Sequence, residues 1–176
     1  MGSHKKNKDN FFKEWIIPVI AAFVLAILMN KFLIFNVYIP SSSMVPTINI
    51  GDRLMIRKLY NKDNLKRGDI LVFYSDELQE TLIKRLIGLP GDHIVIKEGI
   101  VNINGEDIEE DYIENNEYNE DELIYDVPEG KYFFLGDNRP VSKDSRRWIN
   151  PYIDEDDIKG KLILRFYPIK DFGSVN

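Results

Sequence analysis

The chain has 176 residues, 44 % of them hydrophobic and 30 % charged, with no cysteine and a formal net charge of −6. That length holds one ordinary domain and an appendage. The lack of cysteine excludes a disulfide framework, a thiolate metal site and a cysteine nucleophile, and a histidine complement of only His4 and His93 excludes an HExxH-like zinc centre.

The first 35 residues carry a net +3, which leaves −9 on the remainder. Nucleic acid is a poor partner for such a body, because displacing counterions from phosphates needs a basic face. Met1 to Asn10 is polar and expected to be disordered, with an MGSH start of the kind an expression tag leaves. Trp15 to Phe35 is an apolar run of about 21 residues, interrupted by Pro18 and Asn30-Lys31. As a helix it would span roughly 30 Å, the hydrocarbon thickness of a bilayer. Pro18 falls in the first turn, where its missing N–H costs nothing. Trp15 occupies an interfacial position and Lys31 can snorkel at the far end.

The run is apolar all round, which favours an anchor over a striped core helix. Its length, and the lack of a small-x-small site before Ser41, favour an anchor over a cleaved leader. Lysines precede it, so the N-terminus is expected in the cytoplasm and the body outside. The organisation expected is therefore a polar tail over 1–14, an anchor over 15–35 and an exported body over 36–176.

Ile39 to Thr47 reads IPSSSMVPT. Pro40 and Pro46 fix φ and push the residues before them out of the helical region. The serines between them lie on extended or turning backbone. Two readings stay open: a stiff loop presenting a nucleophile, or a solvated linker after the anchor.

From Val37 onward the pattern is β. Arg53 to Tyr60, Asp69 to Ser75, Thr81 to Leu89, His93 to Lys97, Ile100 to Ile103, Tyr132 to Gly136 and Lys161 to Pro168 are short and rich in β-branched and aromatic residues. Gly and Asp punctuate them, with no amphipathic helices between. The expected fold class is all-β, a mostly antiparallel sheet or barrel-like domain behind an N-terminal transmembrane helix. Glu106 to Glu122 holds ten acidic and no basic residues and reads as a solvated loop or outer strand.

A serine nucleophile needs a base. His93 opens a strand after a Pro-Gly-Asp turn and reads as a strand-end residue, which leaves lysine. Lys84 interrupts TLIKRLIGL, and strand alternation puts it on one face with Leu82 and Leu86, with Ile83, Arg85 and Ile87 on the other. Burial of that face would lower its pKa, and two or three units of lowering would bring a model lysine near 10.4 towards neutrality. An edge-strand lysine that blunts aggregation is the alternative. Gly136 to Arg147, GDNRPVSKDSRR, follows an apolar strand. It is either a polar turn or a cluster that orients Lys84.

An anchor, then IPSSSMVPT, GDRLMIRK (Gly51 to Lys58), IKRLIGLPGD (Ile83 to Asp92) and GDNRPVSKDSRRW (Gly136 to Trp148) resembles bacterial type I signal peptidase, the S26 type with a Ser-Lys dyad. The resemblance implies a membrane-anchored serine endopeptidase that cleaves signal peptides from exported preproteins after small residues at positions −3 and −1, without a cofactor or metal. It implies Ser43 as nucleophile and Lys84 as general base, with the Ser41 hydroxyl and the Ser43 N–H as oxyanion hole. Ser142 and Asp144 would position the lysine or its loop; Asp137 and Arg146 would form a charged framework, with Arg85 as the partner of Asp137. Val37, Ile39, Met44, Ile48, Leu82 and Ile83 would line shallow pockets for small side chains, and Ser42 has no assigned role. The implied partners are preproteins, the lipid bilayer and the secretion translocon nearby. A single anchor and a short segment at about 93–134 resemble Gram-positive members. Two rivals remain: a self-cleaving Ser-Lys enzyme of the LexA-like repressor kind, and an anchored β-domain that only binds.

Overall fold

The computed structural model describes residues 12–114 and 122–175. The tail expected over Met1 to Asn10 and part of the acidic stretch lie outside the described residues. The chain divides into two units, Met1–Phe35 and Asn36–Asn176.

In the first unit a π-helical turn, Phe12–Ile16, runs into α1, Ile17–Phe32, with Pro18 in its first turn. Ile17, Val19, Ile20, Leu25 and Met29, which point to different sides of the helix, are all exposed, so apolar side chains face outward around the whole circumference. The expected helix from Trp15 to Phe35 is corrected at both ends. The α-helix has 16 residues, roughly 24 Å at 1.5 Å per residue, and no helix among the described residues is long and apolar enough to cross a membrane. At its end Leu33 still donates its N–H to the Met29 carbonyl. Ile34, Phe35 and Val37, β-branched or aromatic, then take the chain into an extended strand.

That strand, β1 (Ile34–Tyr38), opens a series of eleven among the described residues: β2 (Arg53–Lys58), β3 (Ile70–Ser75), β4 (Glu80–Gly88), β5 (His93–Lys97), β6 (Ile100–Ile103), β7 (Glu106–Asp107), β8 (Leu123–Asp126), β9 (Lys131–Leu135), β10 (Tyr152–Asp154) and β11 (Ile158–Tyr167). They form a seven-stranded sheet in the order β1-β2-β11-β3-β4-β9-β10 and a four-stranded sheet in the order β7-β6-β5-β8. The pairings of β2 with β11, β11 with β3, β3 with β4, β4 with β9 and β9 with β10 are antiparallel, as are those of the small sheet. The domain is therefore mostly antiparallel β, as the alternating runs predict.

Two cores flank β4 and β9. Leu86, Phe134, Tyr132, Leu71, Phe73 and Trp148 fill one; Ile87, Phe133, Leu135, Ile94 and Ile103 fill the other. Because side chains alternate along a strand, each of these two strands feeds both cores. Phe73 stacks on Phe134 with ring centroids 4.3 Å apart, which fastens β3 to β9 across β4. Strands buried on both faces are rigid, and β4 carries the lysine of interest.

One asymmetry of β4 positions the site. Along β3 it is paired from Glu80 to Arg85, whereas β9 covers it only from Arg85 to Gly88. One edge of Glu80 to Lys84 thus has no strand beside it among the described residues.

Candidate active site

The free half of β4 forms one wall of a cleft of about 490 Å³. Val37 to Ser43 form the opposite wall, Glu80 to Lys84 the near one, and Val72, Val141 and Lys143 complete the lining. Val37, Ile39, Leu82 and Ile83 border this space, with Ser41, Ser43 and Lys84. Met44 and Ile48 do not; both are fully buried in the interior. His93 opens β5 in the small sheet, where its exposed ring meets Asp126 at 2.6 Å, away from the cleft lining.

Lys84 Nζ lies 2.5 Å from Ser43 Oγ, although 41 positions separate them in the chain. Lys84 is only 3 % exposed. Burial is the main influence on its ammonium and lowers the pKa to about 8; Asp144, Glu80 and Asp137 pull it up, and Arg146 pushes it down. Desolvation wins because no carboxylate bonds the ammonium directly among the described residues. A lysine with that pKa has an appreciable neutral fraction at physiological pH, and a neutral amine beside a hydroxyl can take its proton.

The nucleophile loop owes its shape to partners far along the chain. Ser42 to Thr47 turn tightly, with the Val45 N–H donating to the Ser42 carbonyl and the Ile48 N–H to the Met44 carbonyl. Asn138 Nδ2 donates to the Ser42 carbonyl (3.1 Å) and the Asn138 N–H to the Ser43 carbonyl (3.1 Å). Thr47 Oγ1 donates to Asp137 Oδ2 at 2.5 Å. Arg85, beside the lysine on β4 but on the other face, grips the same carboxylate through Nε (2.9 Å) and Nη2 (2.7 Å). The Arg85–Asp137 pair expected from sequence is thus present and buried. It links the lysine's strand to the serine's loop.

Asp144 accepts the Gly136 N–H (3.0 Å) and two guanidinium bonds from Arg146 (2.7 and 2.8 Å). Ser142 is fully buried, donates its N–H to the Asn138 carbonyl, and makes no hydrogen bond through Oγ. It packs against Gly136 instead. No hydroxyl bond joins Ser142 to Lys84.

Thr47, Gly136 and Asn138 lie within the motifs, but sequence reasoning assigned them no task. A tight small residue after an apolar strand was the available signal for Gly136. A Cβ there would lie 2.1 Å from Ser142 Oγ and 2.5 Å from the Ser43 carbonyl oxygen. Gly136→Ala is therefore expected to destabilise the domain by about 1–3 kcal/mol, as overpacking does. A denaturant melt reads the loss of stability, and turnover should fall with it because the displaced atom belongs to Ser43.

The family model described as signal peptidase, peptidase S26, matches residues 12–167. Signal peptidase I of Bacillus licheniformis is 38 % identical over 175 residues, covering 94 % of this chain and 94 % of its own. Signal peptidase IB of Staphylococcus aureus is 34 % identical over 177 residues, covering 90 % of this chain and 91 % of its own. Among solved structures, a signal peptidase I from Enterococcus faecalis V583 is 33 % identical with a TM-score of 0.50, covering 58 % of this chain and 99 % of that chain.

Proposed function

This chain belongs to the signal peptidase family, peptidase S26, and is a serine endopeptidase; from that premise we propose that it is a membrane-anchored enzyme that removes signal peptides from exported preproteins, with Ser43 as nucleophile and neutral Lys84 as base. One observation carries the reading: a desolvated lysine tip 2.5 Å from a serine hydroxyl at the wall of an open cleft. Membership of a peptidase family disposes of the binding-only alternative.

In this reading the preprotein lies extended between Val37–Ile39 and Thr81–Ile83. It adds its backbone to the unpaired edge of β4, so main-chain hydrogen bonds supply affinity regardless of sequence. Val37, Ile39, Leu82 and Ile83 leave shallow apolar recesses, which suit small side chains one and three positions before the cut. Met44 and Ile48 act from beneath, by holding that wall in place. Lys84 Nζ takes the Ser43 proton as Oγ bonds to the scissile carbonyl carbon. The Ser43 N–H and the Ser41 hydroxyl donate to the oxygen as it gains charge, each worth about 2.7–4 kcal/mol in comparable sites. Lys84 then gives its proton to the leaving amine, and water releases the acyl group from Ser43. Asp137, Arg85, Asp144, Arg146 and Ser142 hold the two reacting groups in register.

The membrane part rests on helix α1. Its apolar side chains are exposed all round, and the π turn before it extends the helical stretch to Phe12–Phe32. Inserted with its lysine-rich N-terminus in the cytoplasm, it would leave the peptidase domain outside, near the translocon from which preproteins emerge. The relatives from Bacillus and Staphylococcus suit a Gram-positive setting.

The test is incubation with a preprotein carrying alanine at −1 and −3, with the products read by mass spectrometry. One new N-terminus at that junction is expected, and it should vanish when the −1 alanine becomes a bulky residue. A preprotein left whole, or cut elsewhere, would overturn the reading. The pH dependence follows from the base: turnover should rise through about pH 8 as Lys84 loses its proton. A rate that stays level from pH 6 to 10 would remove lysine from that role.

A further inference from the structure

The acidic segment after β7 reads from sequence as solvated, yet two of its side chains turn inward. Tyr112 lays its ring on the Arg85 guanidinium, 3.7 Å from Cζ to the ring centroid. Its hydroxyl donates to Glu110 Oε1 at 2.5 Å. The same oxygen accepts Arg139 Nη2 at 2.5 Å, with both of those side chains buried. Arg139 Nε in turn donates to the Gly136 carbonyl (3.1 Å), and the Arg139 carbonyl accepts from Arg146 (2.9 Å).

Two arms therefore leave this short stretch and converge. One runs from Tyr112 through Arg85 and Asp137 to Thr47; the other runs from Glu110 through Arg139 to Gly136, against which the Ser43 carbonyl packs. We propose that Glu110 and Tyr112 are positioning residues for catalysis, a clamp on the face of β4 opposite Lys84 that sets the Ser43–Lys84 separation. The proposal rests on the reading of those two as the reacting pair.

A guanidinium needs donors satisfied in its plane and something over its face. Asp137 and the Gly68 carbonyl (3.0 Å) serve the plane, and the Tyr112 ring serves the face. Without the ring, water reaches the Arg85–Asp137 pair and the pair gains freedom to slide. Because Thr47 and Arg85 share one carboxylate, that freedom passes to the nucleophile loop. Burial, and then the neighbouring Glu110 charge and bond, keep the Tyr112 phenol protonated, so it remains a donor.

The experiment compares Tyr112→Met, Tyr112→Phe and the parent in steady-state cleavage of a preprotein, well below each variant's melting temperature, with Ser43→Ala alongside. Tyr112→Met keeps an apolar side chain of most of the volume and loses the aromatic face. Its kcat is expected to fall roughly tenfold to a hundredfold with KM within about twofold, as small misplacements of reacting groups do. Tyr112→Phe, which keeps the ring, is expected to recover most of that turnover. A folded Tyr112→Met enzyme with the parent's kcat overturns the clamp, as does a loss that Tyr112→Phe shares in full. Should Tyr112→Met fail to fold, Glu110→Gln is read by the same kcat-against-KM split, and unchanged kcat there overturns the proposal. Full cleavage by Ser43→Ala would instead strike the reading of the site itself.

Discussion

Ser43→Ala is expected to fold like the parent and lose roughly 10⁴- to 10⁶-fold in kcat on a preprotein, the scale of nucleophile removal in other serine peptidases. Folding should survive because the bonds that shape the loop use the Ser42 and Ser43 carbonyls, held by Asn138, and the Thr47 hydroxyl, held by Asp137. None uses the Ser43 side chain. What disappears is the oxygen that attacks, and no neighbouring hydroxyl substitutes for it, since among the described residues only Ser43 Oγ lies within hydrogen-bond distance of the lysine tip. The three consecutive serines should therefore grade steeply. Ser41→Ala, which removes one oxyanion donor, should cost about 10²- to 10³-fold, whereas Ser42→Ala should stay near the parent because Asn138 binds its main chain. Rates for the three variants, with circular dichroism to verify folding, check the ranking. Equal losses across the triplet would mean that the loop, and not one hydroxyl, is what matters.

Lys84→Met should abolish turnover to a similar depth while making the domain more stable near neutrality. The sign follows from linkage. The folded lysine has its pKa lowered from 10.5 to about 8, so the unfolded chain binds more protons between those pH values. Stability of the parent then rises with pH across that window, and below it the cost of charging a buried amine is carried in full. At 1.36 kcal/mol per unit, that cost is on the order of 3 kcal/mol. Methionine of similar length removes it, so the variant's melting temperature should exceed the parent's at pH 6–7 and the gap should close towards pH 10. Lys84→Arg gains nothing of the kind, because guanidinium cannot shed its proton in the working range. It should be both inactive and less stable. An active arginine variant would exclude proton transfer at this position.

The sequence makes the strands and the environment of Lys84 readable because both are local. Leu82, Lys84 and Leu86 share a face by alternation alone, and Leu86 in the core fixes which face that is. The bonds that join the site are long-range, such as Thr47 to Asp137 across 90 positions and Asn138 to Ser42 across 96, and no periodicity encodes them. The acidic stretch misleads for a related reason. Its composition reports solvation of most of its side chains, yet Glu110 finds Arg139 only after folding. The apolar run at the start also hides its own end, since Ile34 and Phe35 are as hydrophobic as the helix they leave and differ from it in backbone preference.

The half of β4 that β9 leaves uncovered has a consequence for timing. A visitor can join that ribbon only with its own peptide groups bare over several residues, so a junction already tucked into a finished fold cannot enter. Cargo must arrive slack. In the proposed pathway the cut belongs to the interval between emergence of a new chain and its collapse, and slow-collapsing passengers should be trimmed most completely.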